Sequence, residues 1–290
     1  MPEKVILDCD NTLGLPFHEV DDGLALLYLL GKKEFDLLGV TTTFGNGSLK
    51  QVFNQTANLL ADLGAEIDVY EGESRKAPGK ETPASRFLVE QAQKWGKDLT
   101  VIGTGPLGNL AAASHLDPQF LFKVKRVICM GGKFHPLRVG RLDLSELNFS
   151  ANPQASFQVL TSGCNLTVAT GHVCTQVYLD KKAIDQFTFW SKRFRRHLKQ
   201  WLFTFGAYCG THVFYLWDLL PVVYLTKPAL FEVAKMRLAS NVDDLQTGKL
   251  VVGKKGDYPE VDFLVNILDL EGFMQEISST WETSCGLYPI

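Results

Sequence analysis

Short, almost wholly apolar runs alternate with longer segments of helical periodicity through the first two-thirds of the chain. Val5–Leu7 precedes an apolar helix expected from Asp22 to Leu30. Leu37–Phe44 precedes a helix from about Ser48 to Leu63, in which Ser48 fits the N-cap, Val52, Ala57, Leu59 and Leu60 build the apolar face, and Gly64 is the stop. Ile67–Tyr70 reads as a strand, the polar stretch Glu71–Thr82 as a loop, and Ser85–Trp95 as a helix. Leu99–Ile102 leads into Pro106–Ala113, Val127–Met130 ends at Gly131-Gly132, and a helix over Pro153–Leu160 precedes a strand over Leu166–Thr170. Apolar strands alternating with helices of this length predict right-handed βαβ units and a mostly parallel sheet covered on both faces. The last third changes character. Phe187–Tyr208 reads as long, aromatic and basic helices, and Lys249–Val252 and Val261–Leu268 as further strands. No repeat, low-complexity tract or linker divides the chain. The expectation is one doubly wound α/β domain over residues 1–290, with C-terminal helical and strand elaborations.

Composition narrows this picture rather than redirecting it. With 290 residues, 46% of them hydrophobic, the chain has ample material for a large core. A formal net charge of −3 provides no electrostatic case for nucleic acid or an anionic membrane as partner. The longest apolar run, Leu24–Leu30, falls far short of the roughly 20 residues that span a bilayer. Met1-Pro2-Glu3-Lys4 runs directly into the first strand, so no secretory leader is expected and a cytoplasmic protein is the default. The six cysteines form no CxxC pair; Cys9 and Cys129 lie in apolar strands and read as buried thiols rather than zinc ligands.

The chemistry gathers at the expected strand ends. Asp8 and Asp10 close the first strand, and Asp21-Asp22 open the helix that follows. Four carboxylates in so short a stretch repel one another unless a cation neutralises them, and hard oxygen ligands suit Ca²⁺ or Mg²⁺. In open α/β sheets, ligands bind beyond the carboxyl ends of the strands. The other ends are Thr43-Phe44-Gly45-Asn46, Gly103 to Asn109, and Met130-Gly131-Gly132 with Glu146-Leu147-Asn148 in the following loop. Each has an ordinary alternative: helix-start acids for Asp21-Asp22, a turn for Asn46, a tight βα connection for Gly131-Gly132, loop and cap residues for Glu146 and Asn148. Together they describe a polar rim around one acidic centre, suited to a sugar.

These segments, in this order, resemble those of the inosine–uridine nucleoside hydrolases. Asp8-Cys9-Asp10 with Asp21-Asp22 is similar to that family's N-terminal aspartate cluster, Thr41 to Asn46 to its second strand end, and Thr104 to Asn109 to its TGPLTN segment. Val127–Gly132 resembles the MGG strand, Glu146-Leu147-Asn148 with Asn152–Ala155 the EFN…DPEAA stretch, and Trp217–Val222 the late HDPLAV motif. The resemblance implies calcium-dependent cleavage of the N-glycosidic bond of nucleosides in base salvage. It implies Ca²⁺ held by Asp10, Asp22, Asp218 and the carbonyl of Thr104, with Asp21 as the base acting on a calcium-bound water. Asn46, Glu146 and Asn148 would grip the ribose hydroxyls, Trp217 would stack on the base, and Asp8 would support the cluster. The transition state would resemble an oxocarbenium ion, and relatives suggest a homodimer or homotetramer.

Three departures stand out. A longer loop, Asn11–Val20, separates Asp10 from Asp21; Trp217 stands where many members carry a histidine; and Arg138 and Arg141 occupy the stretch where a ribose-contacting asparagine is found in relatives. His18, on the longer loop, is a candidate for the missing leaving-group acid. Asp8-Cys9-Asp10-Asn11-Thr12 also satisfies the DxDxT signature of haloacid-dehalogenase-like phosphatases, with Asp8 as nucleophile, and a non-catalytic ribose-binding protein on the same fold is the other alternative. The phosphatase alternative leaves Asn46, Glu146, Asn148 and Asp218 without a role.

Overall fold

The computed structural model describes residues 2–254, 256 and 258–287. Its strands in chain order are β1 (Glu3–Cys9), β2 (Phe35–Thr42), β3 (Val69–Glu71), β4 (Leu99–Gly103), β5 (Arg126–Met130), β6 (Leu137–Val139), β7 (Leu142–Leu144), β8 (Leu166–Ala169), β9 (Tyr178–Asp180), β10 (Val213–Tyr215), β11 (Phe231–Arg237) and β12 (Glu260–Ile267). Eight of these make one sheet in the order β11-β12-β8-β5-β4-β1-β2-β3. All its pairings are parallel except that of the edge strand β11 with β12. Alternation along β1 sends Val5, Leu7 and Cys9 into one apolar cluster and Ile6 into the other, so both faces are buried under helices. This is the doubly wound α/β architecture expected from the pattern.

Register sets the strand ends level. Asp8 pairs with Thr41 of β2 and with Gly103 of β4, and Gly103 pairs with Cys129 of β5. The backbone then continues the ladder one step further, with Thr104 N–H donating to the Asp8 carbonyl and Thr43 N–H to that of Cys9. Loops that leave these strands therefore emerge side by side along one edge.

Local signals account for the flanking helices. The helix Leu49–Leu63 starts with a reciprocal capping box between Ser48 and Gln51 and stops at Gly64, whose left-handed backbone (φ 67°) ends the helix. The helix Pro153–Leu160 begins at the Asn152 side chain, which accepts from Ala155 N–H. Asp21–Leu30 is different: Val20 supplies no side-chain cap, and both first-turn aspartates are buried. Tertiary contacts hold it instead. The C-terminal helix Leu270–Leu287 runs alongside, Trp281 Nε1 donating to the Leu24 carbonyl at 2.9 Å and Ser284 Oγ to that of Leu27 at 2.6 Å. At the crossing, a Cβ on Gly31 would lie 2.6 Å from the Thr280 carbonyl oxygen, so only glycine admits this approach.

Several expectations need correction. Lys249–Val252 forms no strand; it makes only isolated bridges, Lys133 to Lys249 and Leu238 to Val252. Its apolar character reflects Leu250, buried against Gly132, where a Cβ would meet the leucine methyl at 2.6 Å. The helix anticipated over Phe187–Tyr208 is Lys192–Cys209, capped by Ser191. The preceding Phe187, Phe189 and Trp190 form an aromatic plug whose rings pack on one another, Phe187 and Trp190 also meeting Trp281. The strand β11, the C-terminal helix, the small hairpin β6–β7 and the antiparallel pair β9–β10 go beyond the sequence expectation. No helix among the described residues is long and apolar enough to cross a membrane.

Two glycines offer a test of what fixes the aspartate-bearing helix. Gly31→Ala, with an ordinary φ of −78°, should lose about 1–3 kcal/mol in urea unfolding through overpacking against the C-terminal helix. Gly64→Ala has open space around its Cβ and should lose about 1–2 kcal/mol through backbone strain alone. Truncation before Leu270 should abolish the Gly31 effect and leave that at Gly64.

Candidate active site

The aspartates meet where the strand ends converge. Carboxylate oxygens of Asp21, Asp22 and Asp218 all lie within 4.8 Å of one another, and all three residues are buried. Asp21 and Asp22 come from the first turn of their helix, and Asp218 arrives from nearly two hundred residues away, at the start of the helix Leu219–Thr226. The backbone N–H of Asp218 donates to Asp21 Oδ2 at 3.3 Å, tying the distant segment to the first. Asp22 Oδ1 accepts from Thr104 Oγ1 at 2.7 Å. Asp10 stands beside them, its Oδ2 accepting from Asn46 N–H at 2.6 Å. Gly45 and Gly105 make that position possible: Cβ atoms there would fall 1.8 Å from Asp10 Oδ2 and 3.1 Å from Asp10 Oδ1.

Burial pushes every one of these carboxyls up. Asp21 is raised to about 7 by burial and then by the charge of Asp22, and Asp22 to about 6 by burial, eased by its bond from Thr104. Asp10 and Asp218 are raised well above the usual carboxylate range by burial and by neighbouring aspartate charge. Asp8, held on Oδ1 by Thr41 Oγ1 (2.6 Å) and Asn109 Nδ2 (2.7 Å), is raised to about 7 by burial. No ion pair with a described lysine or arginine relieves any of them. Asp8 Oδ2, Asp10 Oδ1, Asp21 Oδ1 and Thr43 Oγ1 are buried without hydrogen-bond partners. Unsatisfied hard oxygens of this number fit a divalent cation of the Ca²⁺ or Mg²⁺ kind.

Beside Asp218 lies a cavity of about 240 Å³, lined by Glu19, Asn46, Thr104, Glu146, Asn148 and Asp218 together with aromatic rings. Of the residues expected in the site, Asn46, Thr104, Glu146, Asn148, Trp217 and Asp218 line it directly. Some are engaged differently from expectation. Asn148 Nδ2 donates to the Thr104 carbonyl (2.7 Å) and to that of Met130 (3.2 Å), so the carbonyl expected to face a cation already shares one lone pair. The Glu146 carboxylate accepts from the amides of Phe149 and Ser150, which orient it. Asp8, fully buried with one oxygen held twice, is poorly placed for the nucleophile of a phosphatase.

His18 does not line this cavity; its Nδ1 lies 2.9 Å from the Pro16 carbonyl. Its neighbour Glu19 does, and it is raised by burial and by the charges of Asp21 and Asp22. Trp201, Phe205 and Tyr208, all on the helix Lys192–Cys209, were likewise not anticipated as site residues. Their spacing along an amphipathic helix reads equally well as ordinary core. Glu73 is the other surprise. Buried in the loop after β3, it accepts from Asn152 Nδ2, and its own N–H donates to Asn109 Oδ1, linking two site loops to Asp8.

Known proteins resemble this chain in sequence and in fold. A family model described as inosine-uridine preferring nucleoside hydrolase matches residues 5–275. Uridine nucleosidase 1 of Arabidopsis thaliana is 30% identical over 207 residues, covering 61% of this chain and 59% of that protein. The pyrimidine-specific ribonucleoside hydrolase RihB of Escherichia coli is 28% identical over 192 residues, covering 57% and 58% respectively. The chain thus spans about three-fifths of the length of the curated relatives it matches. Among solved structures, a plant nucleoside hydrolase, PpNRh1, superposes with a TM-score of 0.83 at 22% identity over 97% of this chain and 99% of that one. A purine-preferring ribonucleoside hydrolase from Gardnerella vaginalis also gives 0.83, at 23% identity over 98% of both chains.

The buried carboxyls set a pH dependence with a definite sign. In the unfolded chain an aspartate ionises near 4, whereas in the cation-free fold Asp8 and Asp21 hold their protons to about 7. Between these values the folded state binds more protons, so stability falls as pH rises through the window. In excess chelator, the free energy of unfolding should be lower at pH 8 than at pH 5. Divalent cation at pH 8 should restore about 2.7 kcal/mol when present at a hundred times its Kd. Urea titrations at the two pH values check this; a chelated protein equally stable at both would remove the cluster from the account.

Proposed function

The chain belongs to the inosine–uridine preferring nucleoside hydrolase family, and on that premise we propose that it hydrolyses the N-glycosidic bond of ribonucleosides, releasing free base and ribose. One observation carries the proposal: Asp21, Asp22 and Asp218 bring carboxylate oxygens within 4.8 Å of one another, and Asp218 lines a cavity that Asn46, Glu146 and Asn148 also line. Asp10, Asp22, Asp218 and the second lone pair of the Thr104 carbonyl would hold the cation, which we take to be Ca²⁺ from the all-oxygen donor set. Bound there, Ca²⁺ supplies Lewis-acid activation of water and an anchor for ribose hydroxyls.

The rest falls to the chain's own groups. Asp21 is assigned as the proton acceptor for the attacking water. One of its oxygens is fixed by the Asp218 amide and the other is free of partners, which suits an oriented general base. Glu146, oriented by the Phe149 and Ser150 amides, accepts from ribose hydroxyls, and Asn46 and Asn148 complete the polar wall. As the C–N bond lengthens, positive charge develops on the ribosyl ring, and the surrounding carboxylates stabilise it. Trp217, only 9% exposed, presents its ring to the base.

Incubation with inosine and uridine, followed by assay of free base and reducing sugar, tests this directly. Release should stop in chelator and return with Ca²⁺. Asp21→Asn should lower kcat by about 10²-fold or more while leaving Ca²⁺-dependent stabilisation measurable. Ca²⁺ binding with no turnover of any nucleoside would overturn the enzymatic assignment and leave a binding protein.

A further inference from the structure

The cavity is chemically lopsided, and the imbalance bears on which nucleosides suit it. Four aromatic side chains line it, Trp201, Phe205, Tyr208 and Trp217, with Tyr215 packed against Phe205 and Trp217. Ring centroids step along this wall at 5.6 Å from Trp201 to Phe205, 6.0 Å to Tyr215 and 5.2 Å to Trp217. No histidine, lysine or arginine is among the described residues lining the cavity. The carboxyl groups of the same lining are Glu146, held by backbone amides, together with Glu19 and Asp218. Tyr208, the one ring in the lining with an O–H, is 65% exposed at the rim.

Cleavage of a neutral nucleoside creates two charges, a ribosyl cation and an anionic base. The second must be protonated or otherwise stabilised as it leaves. Aromatic faces carry negative potential and repel an anion placed against them, whereas they attract a cation within about 6 Å. The five aspartates, with Glu19 and Glu146, add negative potential that a single divalent cation does not cancel. This environment is poor for an anionic leaving base and favourable for a cationic ring.

We propose that the aromatic rings lining this cavity form a cage for cationic bases, so that the preferred substrates are N-ribosides whose ring at the glycosidic nitrogen already carries a positive charge, such as pyridinium ribosides. This rests on the hydrolase assignment above. In the reaction the C1′–N bond breaks with its electron pair going to the ring nitrogen, which becomes neutral. The water oxygen bonds to C1′, and its proton passes through Asp21 to solvent. The base thus leaves neutral, without being protonated.

Two measurements separate this proposal from the assignment it builds on. The first needs no turnover: binding of 1-methylnicotinamide, a permanent pyridinium cation, and of neutral nicotinamide, followed by tryptophan fluorescence with Ca²⁺ present. The cation should bind at least about tenfold more tightly. Trp217→Leu and Trp201→Leu should erase the difference, and the corresponding phenylalanine variants should keep most of it. The second compares kcat/KM for nicotinamide riboside and uridine, expected to favour the cationic riboside by about tenfold or more, with the ratio collapsing in the leucine variants. Equal binding of the two probes, or leucine variants that weaken both alike, overturns the cage even if nucleosides are hydrolysed. Selective cation binding without hydrolysis of any riboside overturns the catalytic assignment and leaves the cage standing.

Discussion

Mutual repulsion among buried carboxylates is the constraint around which this protein is organised. Asp8, Asp10, Asp21, Asp22 and Asp218 are buried at one edge of a parallel sheet, and no described lysine or arginine pairs with any of them. A charge desolvated in this way is costly unless it is protonated or countered. Several partnerless oxygens converge on a small volume, so the natural counter-charge is a divalent cation. The fold can be understood as the frame that keeps these groups together against their repulsion.

That frame has two parts. Sheet register brings Asp8, Thr41 and Gly103 level, so the loops carrying Asp10, Asn46 and Thr104 emerge as neighbours. Side chains then cross-link the loops. Asn109 bonds Asp8 and the Thr42 carbonyl, Glu73 bonds Asn152, and Asn148 bridges the carbonyls of Thr104 and Met130. Each of these polar groups is satisfied internally, which keeps the neighbouring aspartates from relaxing apart. The helix bearing Asp21 and Asp22 lacks a side-chain cap and leans on the C-terminal helix through Trp281 and Ser284. Residues near the far end of the chain thus help place groups near its beginning.

Above this floor, the division of labour in the cavity follows from the chemistry of each wall. Glu146 and Asn148 come from a loop whose backbone orients them, and they suit hydroxyls. The aromatic lining, taken from the helix Lys192–Cys209 and from Trp217, suits a flat ring. A ligand with a polar sugar and an aromatic base matches both walls at once, in one orientation.

Much of this was legible in the amino-acid sequence, because the signals are local. Apolar runs alternating with 3.6-residue periodicity led to the parallel sheet; Ser48 and Gly64 marked a helix that the structure places at Leu49–Leu63; and motifs at strand ends pointed to the polar rim. Where side-chain burial imitates a local signal, the sequence misled. Leu250 made Lys249–Val252 look like a strand, although its apolar side chain only fills space over Gly132. His18 attracted attention as an ionisable loop residue, but the direction in which the loop turns presents Glu19 to the cavity instead. Trp201, Phe205 and Tyr208 could not be told from core residues, since periodicity shows that a helix has an apolar face and not what that face meets. The sequence by itself determined which residue types reach the ends of the strands. Only the tertiary structure decided which of them share a cavity, because that depends on register and on contacts between segments as distant as Asp21 and Asp218.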